Sequence, residues 1–178
     1  MMNKGLLVVL LLAAPVFAQD DEAAARTAAG CGPNEINFDV KIDKKSHPTG
    51  KPEAGKALVY VFGDENIDNV PLHVGSVTTR IGLDGTWVGA KNLKSYFFFQ
   101  VTPGDHRLCT SRQSRLKSQT KISAAASFTA EAGRVYYFRI KTPLHPQPKE
   151  LVRLVAVDPA QAQLLIASSA YSTFQQKK

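Results

Sequence analysis

The chain has 178 residues, a formal net charge of +7, 44% hydrophobic residues and two cysteines. A single domain of this size buries roughly 70% of the surface of its unfolded chain, so we expect one packed core. After the first 18 residues, no apolar run approaches the roughly 20 residues of a membrane-spanning helix. This excludes a transmembrane segment from the chain after residue 18.

The first 18 residues have the pattern of a cleaved secretory signal. Lys4 precedes an apolar run over residues 6–14, and Val16-Phe17-Ala18 places small or β-branched residues where signal peptidase cleaves. Cys31 follows the charged segment DDEAAAR and lies too far along the chain for lipid attachment. We predict cleavage after Ala18, which leaves a periplasmic or secreted chain of 160 residues with charge +6, because Lys4 is removed.

Two cysteines in an exported chain predict one disulfide bond, between Cys31 and Cys109, with two free thiols as the alternative. The bond would pin the N-terminal arm to the middle of the chain and close a loop of 79 residues. The loop-entropy model assigns a bridge of this span about 4 to 5 kcal/mol, as an upper value.

The predicted elements begin after a flexible arm at 19–34, whose first part is acidic, Ala-rich and without periodic apolar positions. Apolar and polar residues alternate from Ile36 to Asp43, which predicts a strand with one buried face. Residues 44–56, with two prolines and two glycines, predict a loop. Ala57 to Phe62 is apolar at every position and predicts a strand covered on both sides.

The segment from Ile81 to Cys109 combines turn signals with strand-forming residues. Asp84-Gly85 and Pro103-Gly104 tolerate the backbone angles of tight turns. Ser95 to Val101 has the β-branched and aromatic composition of a strand, and the sequence HRLCT after Gly104 resumes one. We predict a β-meander over this segment.

Two further strands are predicted at 124–129 and 134–141, paired as a hairpin, and another at 151–157. Asp158 as N-cap, Pro159 at the first helical position and Gln161 within reach of the cap predict a short helix to about Ala167.

The predicted fold is therefore an all-β antiparallel β-sandwich of about eight or nine strands with one short C-terminal helix. It forms a single domain over residues 35–168, followed by a polar tail at 169–178.

Four segments of the chain carry a resemblance to a known family. They are GKALVYVF at 55–62, LDGTWVG at 83–89, SYFFFQVTPGDHRL at 95–108 and FTAEAGRVYYFRI at 128–140. Together they resemble a bacterial envelope family known as domain of unknown function 2846, over residues 55–166. The motif DG-x-x-VG followed by PG-x-H is also similar to small sandwich modules named for a Pro-Glu-Gly-Ala motif and to transthyretin-like modules.

The resemblance implies a secreted or periplasmic β-sandwich with no known activity and no known catalytic residues. Members of the family often carry a lipoprotein signal, which this chain lacks. The N-terminal extension with Cys31 is not taken from the family pattern.

No catalytic or metal-binding constellation stands out in the sequence. The four histidines, His47, His73, His106 and His145, lack ligand spacing such as H-x-x-x-H. Asp105 and His106 would suit acid-base chemistry, but adjacent strand residues point to opposite faces. We predict no enzyme activity, metal or cofactor, and keep a small secreted hydrolase using Asp84, Asp105 or His106 as the weaker alternative.

Aromatic side chains are candidates for binding, since exposed aromatic faces on a sandwich bind sugars, peptides or other aromatics. Alternation places Phe97 and Phe99 on one face of their strand and Tyr96 and Phe98 on the other. One pair therefore lies outside the main core or under a helix or loop. Trp87 and Tyr96 are the candidate binding residues, with ordinary packing as the alternative.

The segment 107–121 contains five cations and no acid: Arg107, Arg112, Arg115, Lys117 and Lys121. It would attract anionic glycans or lipid headgroups, whereas export argues against nucleic acid; a solvated loop is the alternative. We predict a non-catalytic exported module that binds or scaffolds an unknown envelope protein or an anionic glycan or lipid surface. A polyanion-binding or inhibitor protein acting through this segment is the alternative.

Overall fold

The computed structural model describes residues 30–64, 77–113, 123–141 and 151–178. The predicted signal peptide at 1–18 and the first part of the predicted arm lie outside them. The described strands are β1 (Phe38–Asp43), β2 (Ala57–Asp64), β3 (Thr78–Leu83), β4 (Thr86–Asn92), β5 (Ser95–Val101), β6 (Gly104–Gln113), β7 (Ser123–Ala130), β8 (Val135–Lys141), β9 (Arg153–Ala156) and β10 (Ala170–Gln176), with helix α1 (Pro159–Ser168) before β10.

The strands form two sheets that pack face to face. Sheet A has the order β1-β10-β5-β2-β8-β9 and sheet B the order β4-β3-β6-β7. Sheet B is antiparallel, whereas sheet A is mixed, because β10 pairs parallel with β5 and β2 pairs parallel with β8. The predicted all-β sandwich with one short helix is confirmed, with ten described strands, although the predicted antiparallel pairing holds throughout only in sheet B. Within the described ranges, no helix is long and apolar enough to cross a membrane.

Strand β2 is buried on both faces, as its sequence predicts. Every side chain from Ala57 to Phe62 is at most 2% exposed. Val59 and its alternate neighbours face sheet B, where they meet Ile81 and Leu108. Tyr60 and its alternate neighbours point the opposite way, so sheet A needs a second covering layer.

Helix α1 and the loop at 44–56 supply that second layer. Ala162 and Ile166 of the helix pack in one cluster with Tyr60 and Tyr96. The carboxylate of Asp158 accepts the N–H of Gln161 at 2.9 Å, and a proline occupies the start of the helix. The predicted helix and its N-cap are confirmed.

The chain changes sheets more often than the sequence predicts. Strands β3 and β4 form a hairpin through Asp84 and Gly85, which have φ angles of 51° and 81°. The predicted β-meander is wrong beyond this hairpin, because β5 lies in sheet A and β6 returns to sheet B. The predicted hairpin of β7 and β8 is also wrong, because β7 pairs with β6 whereas β8 pairs with β2 and β9. Both β5 and β8 carry large apolar side chains on two faces, and in sheet A each face packs against a hydrophobic cluster.

The predicted polar tail is largely a strand. Residues Ala170–Gln176 form β10, which pairs antiparallel with β1 and parallel with β5. Ser172 is 1% exposed, and its hydroxyl lies 2.7 Å from the hydroxyl of Ser95. A hydrogen-bonded polar pair therefore occupies an inward position, and a pattern of apolar residues does not reveal this strand.

Residues 30–37, hereafter the strap, lie across the outer face of sheet B before the chain enters β1. The disulfide bond between Cys31 and Cys109 joins the strap to β6, with Cα atoms 5.6 Å apart. The predicted bridge is confirmed. Gly82 of β3 lies directly beneath the strap, and a Cβ at this position would overlap the carbonyl oxygen of Cys31.

Side-chain hydrogen bonds hold the backbone of the strap. Nε1 of Trp87 donates to the carbonyl oxygen of Pro33 at 2.7 Å. Arg80, only 3% exposed, donates to the carbonyl oxygens of Asn34 and Ile36 at 3.2 and 2.8 Å. Its guanidinium also lies 4.4 Å from the centre of the Trp87 ring. Residues 30–34, which the sequence assigns to a flexible arm, are thus tied to sheet B.

We expect Gly82→Ala to lower the free energy of unfolding by about 1 to 3 kcal/mol, because the added methyl group would displace the strap. Urea denaturation followed by Trp87 fluorescence measures this cost. In a Cys31→Ser/Cys109→Ser background the cost should be smaller, since the strap is then free to move away. Equal costs in the two backgrounds would contradict the proposed clash.

Candidate functional site

Trp87 and Tyr96, the two aromatic binding candidates, both form hydrogen bonds within the protein. Tyr96 is fully buried, and its hydroxyl donates to the carbonyl oxygen of Pro48 at 2.9 Å. Trp87 is half-buried against the strap, where a Cβ on Gly32 would lie 2.7 Å from its ring. The expectation that Tyr96 contributes to an exposed aromatic patch is wrong, because Tyr96 belongs to the layer under α1.

The basic segment is not one solvated loop. Its first residues belong to β6, where Arg107 is exposed but Arg112 is only 7% exposed. Arg112 shares with Leu108 the face of β6 that turns toward sheet A. The predicted basic surface is therefore wrong for Arg112. Arg115, Lys117 and Lys121 lie outside the described residues.

Asp84 and His106 form an ion pair at one end of sheet B. Oδ2 of Asp84, in the turn between β3 and β4, lies 2.7 Å from Nδ1 of His106 on β6. Its Oδ1 accepts the N–H of Arg107, also at 2.7 Å. Nε2 of His106 lies 2.7 Å from the carbonyl oxygen of Thr102. The ring thus links the β3–β4 turn, β6 and the connection that leads from β5 to β6.

These contacts favour the protonated form of His106. A carboxylate and a backbone carbonyl only accept hydrogen bonds, so both contacts are satisfied together when each ring nitrogen carries a proton and the imidazole is charged. Burial alone would lower the pKa of His106, but the hydrogen bonds to Asp84 and Thr102, with the charges of Asp84 and Asp105, raise it overall. An imidazole in this state has no free nitrogen to accept a proton from a substrate.

Beside this pair the surface forms an open depression of about 520 Å³, here called the polar hollow. Two cross-strand pairs line it: Asp105 lies opposite Thr129, and Arg107 lies opposite Ser127. Oγ1 of Thr129 donates to Oδ1 of Asp105 at 2.6 Å. The remaining lining residues are Asp84, His106 and Phe128.

The polar hollow unites the three residues of the hydrolase alternative. Asp84, Asp105 and His106 all line it, although Asp105 bonds to Thr129 and not to the adjacent histidine. The sequence did not reveal the bond between Asp84 and His106, because that bond depends on the register of β3 against β6. It also missed Ser127 and Thr129 of β7. In the described part of the chain, no group of three or more His, Cys, Asp or Glu side chains is placed to hold a metal ion.

One protein family matches the segment that contains the polar hollow. The model of the family described as protein of unknown function (DUF2846) matches residues 53–151, more than half of the chain. The chain belongs to this family. The match includes β2 and Cys109 but not the strap with Cys31, helix α1 or β10. No curated protein and no solved structure matches the chain.

The face of sheet A that α1 covers in this DUF2846 protein carries four tyrosines. Burial raises the pKa of Tyr60, Tyr137 and Tyr171, and it raises the pKa of Tyr96 to about 12. The hydroxyl of Tyr60 accepts the N–H of Gly50 at 2.7 Å. Together with the bond from Tyr96 to Pro48, this contact holds the loop at 44–56 over the tyrosines.

We expect the ion pair of the DUF2846 protein to make its stability depend on pH near neutrality. Because folding raises the pKa of His106, its contribution is fully present below the unfolded pKa of about 6.5. It is lost as the pH rises through the folded pKa. Urea denaturation across this range measures the loss. Asp84→Asn keeps an acceptor for the Arg107 N–H but removes the charge, so it should flatten the profile. An unchanged profile in this variant would assign the effect to another group.

The buried tyrosines predict sensitivity to alkali. Their contribution is present below the unfolded pKa of about 10 and is lost as the pH rises through the raised folded values. Phenolate absorbance and circular dichroism, measured on the same samples, should therefore show delayed ionisation accompanied by loss of structure. Ionisation of every tyrosine in a single step near the unfolded pKa of about 10, with the fold intact, would disprove this.

Proposed function

We propose that the mature DUF2846 chain is a non-catalytic exported β-sandwich that binds another component of the cell envelope. The observation that carries this proposal is the geometry of His106, whose two ring nitrogens each lie 2.7 Å from a fixed acceptor oxygen. The side-chain set that most resembles an acid-base centre is thereby committed to holding the fold. Around it, the exposed residues of the polar hollow lie on paired strands, which offer a rigid surface to a partner.

The disulfide bond supports the export part of the proposal. Disulfides persist in oxidising compartments and are rare in the cytosol. Cys31 and Cys109 are bonded, and the described residues contain no free cysteine. This agrees with the signal features of residues 1–18, so we place the mature chain in the periplasm or outside the cell.

Each of the two alternative functions has less support than the proposed binding role. A hydrolase would require His106 to give up one of its two hydrogen bonds before it accepts a proton. Among the described cations of the basic segment, Arg107 is exposed, but Asp84 and Asp105 lie in the same hollow and would repel a purely anionic ligand. A partner with both signs of charge suits this surface better.

Affinity capture from native envelopes with a tagged mature protein tests the binding role. We expect an enriched envelope component that is absent from a tag-only control. A folded His106→Gln protein should capture the same component, because the His106 side chain is only 9% exposed and offers a partner little surface. Mass measurement after alkylation without reductant should show no modified cysteine, as expected for an intact disulfide.

Two results would overturn the proposed function. One is hydrolysis of ester, glycoside or peptide substrates by the wild-type protein that His106→Gln lacks. The other is the absence of any enriched component across repeated captures. Alkylation of Cys31 or Cys109 without reductant would remove the argument for export.

A further inference from the structure

Among the described residues, strand β7 lies at one edge of sheet B, with β9 of sheet A nearby. It pairs with β6 on one side, and no described strand pairs with its other side. Its eight residues, SAAASFTA, contain no charge and no proline. Proteins commonly block free edges with charged residues, prolines or bulges. The edge strand β1 of sheet A follows that rule with Asp39, Lys41 and Asp43, whereas β7 does not.

The hydrogen bonds of Arg107 show which backbone groups of β7 face the open side. The N–H of Arg107 donates to Asp84 Oδ1, and its carbonyl oxygen accepts the N–H of Asp84 at 3.0 Å. Both groups thus point away from β7, so Arg107 and Ser127 form a non-hydrogen-bonded pair. Because such pairs alternate with bonded ones, the N–H and C=O groups of Ser127, Ala125 and Thr129 point to the open edge.

The polar hollow places opposite charges next to these groups. Arg107 lies beside Ser127, and Asp105 lies beside Thr129, on the same face of sheet B. No described carboxylate side chain forms an ion pair with the guanidinium of Arg107, because Asp84 bonds to His106 and Asp105 to Thr129. In a strand added to β7, alternate side chains would project over this face. Ser127 and Thr129 are small enough for longer side chains to pass over them.

We propose that the edge of β7 binds an extended segment of a partner protein as an additional antiparallel strand. A basic side chain opposite Thr129 would meet Asp105, and an acidic side chain two residues later, opposite Ser127, would meet Arg107. The recognised segment therefore reads basic-x-acidic. Backbone hydrogen bonds supply affinity in this mode, and the charged pairs supply direction and register. The inference rests on the binding role proposed above and gives it a site and a partner chemistry.

Fluorescence anisotropy with labelled synthetic peptides tests the proposal. The probe alternates Thr and Val around a central Lys-Val-Glu, and its control carries Glu-Val-Lys. We expect the wild type to prefer the first peptide by about two- to fivefold for each charge contact. The double variant D105K/R107E should reverse this preference. This pair of substitutions alters only exposed side chains, so it tests the charge pattern without touching the backbone.

Ser127→Pro tests the backbone part of the proposal. It removes an N–H that points to the open edge and leaves the bonds between β6 and β7 in place, so the fold should persist. We expect peptide binding to fall by about tenfold or more. Ser127→Ala removes only the hydroxyl and should bind as the wild type does. Circular dichroism and thermal melting verify the fold of each variant.

Several outcomes would overturn the inference. They are equal binding of both peptides by the wild type, an unreversed preference in D105K/R107E, and wild-type affinity in a folded Ser127→Pro protein. Sedimentation of the free protein as an oligomer that Ser127→Pro dissociates would assign the edge to a second copy and also reject a partner segment. Envelope capture separates the two proposals, because a component captured equally by Ser127→Pro would leave the binding role intact and place its site elsewhere.

Discussion

The two-sided burial of β2 is the constraint on which the rest of the structure depends. A strand that is apolar at every position from Ala57 to Phe62 is stable inside a sheet only when both faces of that sheet are covered. Sheet B covers one face, whereas α1 and the loop at 44–56 cover the other. The neighbouring strands β5 and β8 lie between the same two layers. For this reason the chain leaves sheet B after β4 and again after β7 to return to sheet A.

The outer face of sheet B is covered differently, by backbone held through polar contacts. Arg80 and Trp87 bind carbonyl oxygens of the strap, and the disulfide at Cys109 attaches it covalently. Nearer the start of β6, at Arg107, the sheet carries exposed residues that line the polar hollow. The charged residues of the hollow and the edge of β7 thus occur together on an exposed part of sheet B.

Local signals allowed much of the fold to be predicted from the sequence. The strand alternation of β1, the apolar run of β2 and the N-cap at Asp158 each depend on neighbouring residues alone. Strand pairing depends on distant segments, so the sheet changes at β5, β6 and β8 were not predictable from turn residues. The alternation of side chains along β5 predicted that Tyr96 and Phe97 lie on opposite faces, but it did not show that α1 covers Tyr96. Likewise, the sequence placed His106 in a candidate site without revealing its bond to Asp84.

Strand β10 joins the two ends of the domain within one sheet. Phe38 lies opposite Gln176, and among the described strands β1 pairs with β10 alone. A chain that emerges from its N-terminus therefore leaves β1 and one edge of β5 unpaired until β10 has been made. Pairing across so large a sequence separation is also slow, because loop closure precedes the contacts that reward it. Until sheet A closes, these unpaired strand edges are exposed to proteases and to pairing with other chains.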